Sequence, residues 1–247
     1  MGQSLAGKIA LITGGSRGIG AVIAKRLAAE GAAVTITHVG SSDTAEAIVQ
    51  DILQSGGQAR TIRADASEIG AGAGAVADTV AHEGGLDILV SNAGINISKS
   101  IESLSIEDYS AVFDINVRAN FEIIKAAAAV MSPGSRIVVI TATIANDYFA
   151  PGLALYGASK AAVNGFVQGW ARDLGPRGIT INAIVPGPVD TDMNPDQTEL
   201  ATFIKGRVPL ERYGQPNEIA ALASFLAGPE AGFITGARMV IDGGMSV

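Results

Sequence analysis

Seven short runs rich in β-branched residues alternate along the chain with longer stretches whose apolar residues recur every three or four positions. This alternation constrains the fold more than any other feature of the sequence. The runs are KIALIT at 8–13, AVTITH at 33–38, ARTIRA at 59–64, LDILVS at 86–91, SRIVVITA at 135–142, GITINAIV at 178–185 and ARMVIDG at 237–243. They are largely apolar throughout rather than on alternate residues, as expected of strands covered on both faces. Between them lie helical patterns, the longest being IEDYSAVFDINVRANFEIIKAAAAVM at 106–131. Strand, helix and strand in this order call for right-handed crossovers and a parallel sheet. The expectation is an α/β chain with a three-layer, doubly wound fold of the Rossmann type: a seven-stranded parallel sheet with helices on both faces.

A chain of 247 residues fits one such domain, with no repeat or linker along residues 1–247. The one break in the alternation is 185–216, where prolines and mixed polarity predict a mobile segment near the ligand, with a short helix and a substrate loop at about 188–212. Composition excludes several classes of function. The net charge is −7 with no run of lysine or arginine, which argues against nucleic acid as a partner. There is no cysteine, and the histidines are His38 and His82, so thiol chemistry, disulfides and Cys/His zinc sites drop out, and no metal is expected. The opening residues carry no leader pattern, Ala6 stands where myristoylation wants serine or threonine, and no apolar stretch reaches membrane-spanning length. A cytoplasmic protein without a membrane partner is expected.

The first strand runs into TGGSRGIG at 13–20 and then into a helix. Gly14, Gly18 and Gly20 allow a sharp turn, close backbone approach to a pyrophosphate and tight packing of helix on strand, with Ser16, Arg17 and Ile19 completing the turn. A glycine-rich turn alone is weak evidence; strand, turn and helix in the required order make dinucleotide binding the stronger reading. At the end of the second strand, THVGSS at 37–42 offers no carboxylate before Asp43 to accept from the ribose 2′-hydroxyl of NAD. Arg17 is able to pair with a 2′-phosphate, Ser41 and Ser42 to donate to it, and His38 lies beside them. NADP(H) is therefore predicted ahead of NAD(H). The plainer alternative is a solvated Arg17 and a His38 that caps the strand.

Tyr156 and Lys160 stand at i and i+4 on one helix face, where an ammonium would stabilise a phenolate and lower the tyrosine pKa. That spacing alone is common on helices. Together with TGGSRGIG, NAG at 92–94, Asn116 in the long helical pattern and PGPVDT at 186–191, however, YGASK closely resembles the short-chain dehydrogenase/reductase family, from residue 8 to about 243. The resemblance implies that Tyr156 protonates a carbonyl oxygen while a nicotinamide delivers hydride. It implies that Lys160 lowers the Tyr156 pKa and holds the nicotinamide ribose, and that Asn116 positions a water in a proton relay. It places Asp65 and Ala66 at the adenine, Asn92, Ala93 and Gly94 along the cofactor, and Pro186, Gly187, Val189 and Thr191 beside the nicotinamide. The hydroxyl that binds the substrate oxygen falls on Thr143, where the family usually has serine. Threonine keeps the donor but adds a methyl and restricts χ1. We expect it to be a working substitute. A milder departure is Ser91, where the family often has asparagine.

For the substrate, the stretch from Thr143 to Leu155, with Tyr148, Phe149 and Leu153, predicts a largely apolar wall without lysine or arginine. Small or medium ketones, including aromatic and keto-ester carbonyls, fit it. The enzymatic rival is a β-ketoacyl-acyl-carrier-protein reductase, whose acidic partner wants a basic rim. Arg118, Arg136, Arg172 and Arg207 are its scattered candidates. A reading from another class is a catalytically silent dinucleotide-binding sensor, supported by Thr143. The resemblance also implies a homotetramer paired through helices around 105–131 and 155–175. Phe166, Val167 and Trp170 give the second helix more apolar surface than one core-facing stripe needs.

Overall fold

The computed structural model describes residues 3–40, 42–145 and 150–247. Seven parallel strands form one sheet: β1 (Ile9–Ile12), β2 (Ala33–His38), β3 (Gln58–Arg63), β4 (Ile88–Ser91), β5 (Arg136–Ile140), β6 (Thr180–Pro186) and β7 (Arg238–Ile241), in the order β3-β2-β1-β4-β5-β6-β7. Each lies within two residues of a run predicted from sequence. The helices are α1 (Gly18–Ala29), α2 (Ser42–Gln54), α3 (Ala71–Glu83), α4 (Ile106–Phe113), α5 (Ala119–Val130), α6 (Ala154–Leu174), α7 (Glu199–Lys205) and α8 (Pro216–Ala227).

The largely apolar strands divide their side chains between two cores. Ala10 and Ile12 of β1, Ile88 and Val90 of β4, and Val138 and Ile140 of β5 pack under α1, α2 and α8 with Ile23, Leu27, Val49 and Leu226. Leu11, Leu89, Ile137 and Val139 face the other way, under α3, α5 and α6 with Val76, Ile124 and Val163. Side chains on successive strand residues point to opposite faces, so a strand apolar on both serves both layers.

The long helix predicted over 106–131 is not continuous. α4 and α5 are joined by a π-helical turn, Asp114–Arg118, with Asn116 buried at its centre. The widened turn inserts a residue into the helical ladder and re-aims the side chain it carries, a geometry found frequently at functional sites. The irregular segment after β6 contains the expected short helix, α7, capped by Thr198 Oγ1 accepting from Ala201 N at 3.0 Å. Its base is closed where Val189 pairs with Gly214.

Chain order turns back between β1 and β4, and Ile12 pairs with Val90 there. The turns leaving these two strands therefore open side by side at the carboxyl edge of the sheet, where ligands bind in open α/β sheets.

Candidate active site

Thr13 locks the two turns together. Its Oγ1 accepts from Asn92 N and Ala93 N, both at 2.9 Å, while Asn92 Nδ2 donates to Thr13 O at 3.0 Å and Gly14 O at 3.2 Å. Gly14, at φ 62°, donates its N–H to Thr37 Oγ1 at 3.1 Å. A Cβ on Gly20 would collide with Gly14 O and Asn92 Nδ2, so α1 starts as close to the strand as backbone allows. No side chain caps the first turn of α1 and no acidic residue lies in it. That helix N-terminus, with its exposed N–H groups and positive dipole end, fits the pyrophosphate of a dinucleotide.

From this turn a cleft of about 930 Å³ runs along the sheet edge. Ser16, Arg17, Gly18 and Ile19 line the end at this turn, with Arg17 exposed. His38 and Gly40 lie next to them, the His38 ring 3.2 Å from Gly40 O. Asp65 and Ala66, expected at the adenine, line the cleft. Ser67 N and Oγ donate to Asp65 Oδ1 at 2.9 and 2.8 Å and hold that carboxyl below its usual range, the backbone bond having the larger effect. Asn92, Ala93 and Gly94 line the middle, and Pro186, Gly187, Val189 and Thr191 the far wall. Gly20, Ser42, Asn116 and Thr143 are not part of the lining. Ser42 begins α2 with its hydroxyl 3.4 Å from Asp43 Oδ1. Ser41, Tyr148 and Phe149 lie outside the described residues.

Tyr156 and Lys160 both face the cleft from the first turns of α6, Lys160 Nζ standing 5.7 Å from the phenol ring centroid. Burial, by removing water from around the hydroxyl, pushes the Tyr156 phenol up to about 12, opposite to the fall expected from a neighbouring ammonium. Burial lowers Lys160 to about 8, and its Nζ donates to Ile140 O at 3.1 Å. At neutral pH the phenol keeps its proton and most of the lysine remains an ammonium.

The side chain of Asn116 makes three hydrogen bonds. Its Oδ1 accepts from Ile95 N at 2.9 Å, and its Nδ2 donates to Ile95 O at 2.9 Å and to Ser159 Oγ at 3.0 Å. Ser159 Oγ in turn donates to Tyr156 O at 2.7 Å, so the π-helical turn grips α6 at Tyr156. A Cβ on Gly94 would lie 3.1 Å from Asn116 Oδ1 and 3.3 Å from Lys160 Nζ, which fixes glycine where these groups converge. Thr143 is buried in a 3-10 turn, and its Oγ1 donates to Pro186 O at 3.3 Å rather than into the cleft.

Comparisons with known proteins agree with this geometry. Residues 14–246 match the family profile described as enoyl-(acyl carrier protein) reductase. A short chain dehydrogenase from Burkholderia cenocepacia J2315, solved in complex with NADP, is 46% identical and superposes with a TM-score of 0.97 over 99% of this chain and 100% of its own. The chain belongs to the short-chain dehydrogenase/reductase family of NAD(P)-dependent oxidoreductases. Among curated members of the family, the cyclic-di-GMP-binding biofilm dispersal mediator protein of Escherichia coli K12 is 42% identical over 96% of both chains. A hydroxynaphthalene reductase-like protein of Metarhizium majus is 37% identical over 98% of this chain and 96% of its own.

Within this short-chain dehydrogenase/reductase the sequence reading missed several residues that build the site. Thr13, Thr37 and Ser159 act through hydrogen bonds to residues far off in sequence, and spacing along the chain gives no sign of such partners. Ser91, noted only as a departure, donates to Asn120 Oδ1 at 2.7 Å, and Asn120 Nδ2 donates to Asn116 O at 2.8 Å. The serine therefore braces the π-helical turn from β4.

Proposed function

We propose that this protein is a cytoplasmic, single-domain, NADPH-dependent reductase that converts a small or medium ketone to a secondary alcohol. The observation that carries the reading is Tyr156 and a buried Lys160 together on one cleft wall, beside a helix N-terminus suited to a pyrophosphate. Asn92, Ala93 and Gly94 with Pro186, Gly187, Val189 and Thr191 would hold a nicotinamide, which would supply the hydride for the carbonyl carbon. Tyr156 gives its phenolic proton to the carbonyl oxygen, and Lys160 stabilises the phenolate and returns a proton to it. Thr143 turns its hydroxyl from Pro186 O to the substrate oxygen. Arg17 and His38 read the 2′-phosphate, a preference supported by the NADP complex of the Burkholderia relative.

The rival that acts on an acyl carrier protein loses two of its four arginines. Arg118 is held by Asp114 and Glu122, and Arg136 donates to Gly228 O and Ser135 O at the opposite edge of the sheet. Arg172 and Arg207 remain exposed, Arg207 lying 4.5 Å from the Phe203 ring centroid. A second reading, binding without turnover, is favoured by the buried Thr143 hydroxyl and by the description of the E. coli relative as a cyclic-di-GMP-binding mediator. Phe121, Phe166 and Trp170, clustered on the outer face of α5 and α6 with ring centroids 4.6 to 6.3 Å apart, support assembly into a homotetramer.

The test is consumption of NADPH, and separately NADH, against aliphatic, aromatic and keto-ester carbonyls. Turnover favouring NADPH supports the reductase; binding of NADPH with no turnover across the panel would favour the sensor.

A further inference from the structure

The cleft wall at residues 65–72 is held only in part by its own bonds, from Ser67 N and Oγ to Asp65 Oδ1, Glu68 N to Asp65 O and Ala71 N to Glu68 O. Its Asp65–Ser67 turn leads into α3, whose N-cap, Gly70 at φ 83°, carries no capping side chain. Other backbone groups of this wall are met from α5 and the π-helical turn. Arg118 Nη2 donates to Ser67 O at 2.8 Å and to Ala66 O at 3.4 Å. Glu122 Oε2 accepts from Gly70 N at 2.9 Å and so caps α3 from another helix. The two side chains pair with each other through Arg118 Nη1 and Glu122 Oε1 at 3.1 Å, and Asp114 Oδ1 holds Arg118 Nε at 3.1 Å. A Cβ on Gly72 would lie 3.0 Å from Ile123 Cβ, so α3 already rests directly on α5. Charge-assisted bonds from a planar guanidinium fix direction as well as distance.

We propose that Arg118, with Glu122, is a positioning residue for the adenosine half of the cofactor: it holds the 65–72 wall in its binding shape from outside the cleft. The proposal rests on the dinucleotide reading above. Arg118 does not itself line the cleft; it acts through Ala66 and Ser67, which do, and Glu122 acts through Gly70. A wall that must be ordered on binding costs affinity that a pre-ordered wall does not. The loss should therefore appear in binding of the adenosine half, with little effect on chemistry at Tyr156.

The experiment compares the full-length protein with Arg118→Met, measuring affinity for NADPH and for adenosine 2′,5′-bisphosphate, together with kcat at saturating NADPH. Loss of charge-assisted bonds of this kind corresponds to about tenfold in affinity. We expect both ligands to weaken by about that factor and kcat to stay within about twofold. Unchanged affinity for adenosine 2′,5′-bisphosphate, or a fall in kcat as large as the fall in affinity, would overturn the proposal. Should Arg118→Met not fold, Glu122→Gln decides: it keeps the side-chain shape and should weaken the bisphosphate about threefold, and no change would refute the idea. Wild-type protein that binds neither ligand would remove the dinucleotide reading as well, whereas tight wild-type binding with unaltered variants would sink the positioning role alone.

Discussion

At the scale of single residues the account turns on three polar groups. Tyr156→Phe removes the proton donor without changing the shape of the cleft, so turnover should fall by roughly 10²–10⁴-fold while NADPH binding persists. Thr143 is the residue on which the enzyme and sensor readings part. Its hydroxyl has a backbone partner, Pro186 O, but at 3.3 Å the bond is long enough to exchange for a better acceptor. If it serves the substrate oxygen, Thr143→Ala should lower kcat by roughly two to three decades and Thr143→Ser should preserve it. Equal rates for all three would remove Thr143 from the mechanism. Lys160 sets the pH dependence. With its value lowered to about 8, the ammonium persists below that pH and is lost above it. Ketone reduction, which consumes the proton, should therefore decline as pH rises through about 8, and a kcat profile with no such limb would contradict the role.

At the scale of elements, the site depends on how α6 is seated. A Cβ on Gly157 would lie 2.8 Å from Ile144 O, in the turn that carries Thr143. Gly157→Ala should push Tyr156 away from that turn and lower kcat by about tenfold or more, with NADPH affinity retained, because small displacements of reacting groups are costly. Single-turnover rates and equilibrium binding on the same preparation check this. Strands and most helices were legible in the sequence because burial imposes a period: both faces of β4 and β5 are covered, and α1 and α8 repeat apolar residues at helical spacing. The π-helical turn was not legible, since 106–131 keeps its apolar pattern across the break. What separates α4 from α5 is set by the bonds of Asn116 to Ile95 and Ser159. For the same reason Tyr156, Lys160 and the phosphate turn were found from short-range motifs. The fall expected in the Tyr156 pKa was not borne out, because burial is a property of the assembled fold.

At the scale of the whole molecule, the two cores separate the outward surfaces. Val167, counted with Phe166 and Trp170 as apolar surface beyond one core-facing stripe of α6, is fully buried, whereas Phe121 is 42% exposed and Phe166 and Trp170 stack beside it. On the homotetramer reading, this aromatic cluster is the candidate interface. Phe121→Glu with Trp170→Glu should reduce the mass in solution from that of an oligomer to that of a smaller species; an unchanged mass would place the interface elsewhere. The cleft itself joins the glycine-rich turn after β1, the 65–72 wall before α3 and the face of α6 that carries Tyr156 and Lys160, which only the doubly wound order brings together. The claim that this junction is a reductase site is tested most directly by NADPH consumption, with NADPH binding followed in the same samples, for the wild-type protein and Tyr156→Phe against the carbonyl panel. The account predicts turnover by the wild type and its collapse in the variant at unchanged NADPH affinity. Equal turnover by both, or NADPH binding without turnover by the wild type on every carbonyl, would contradict it.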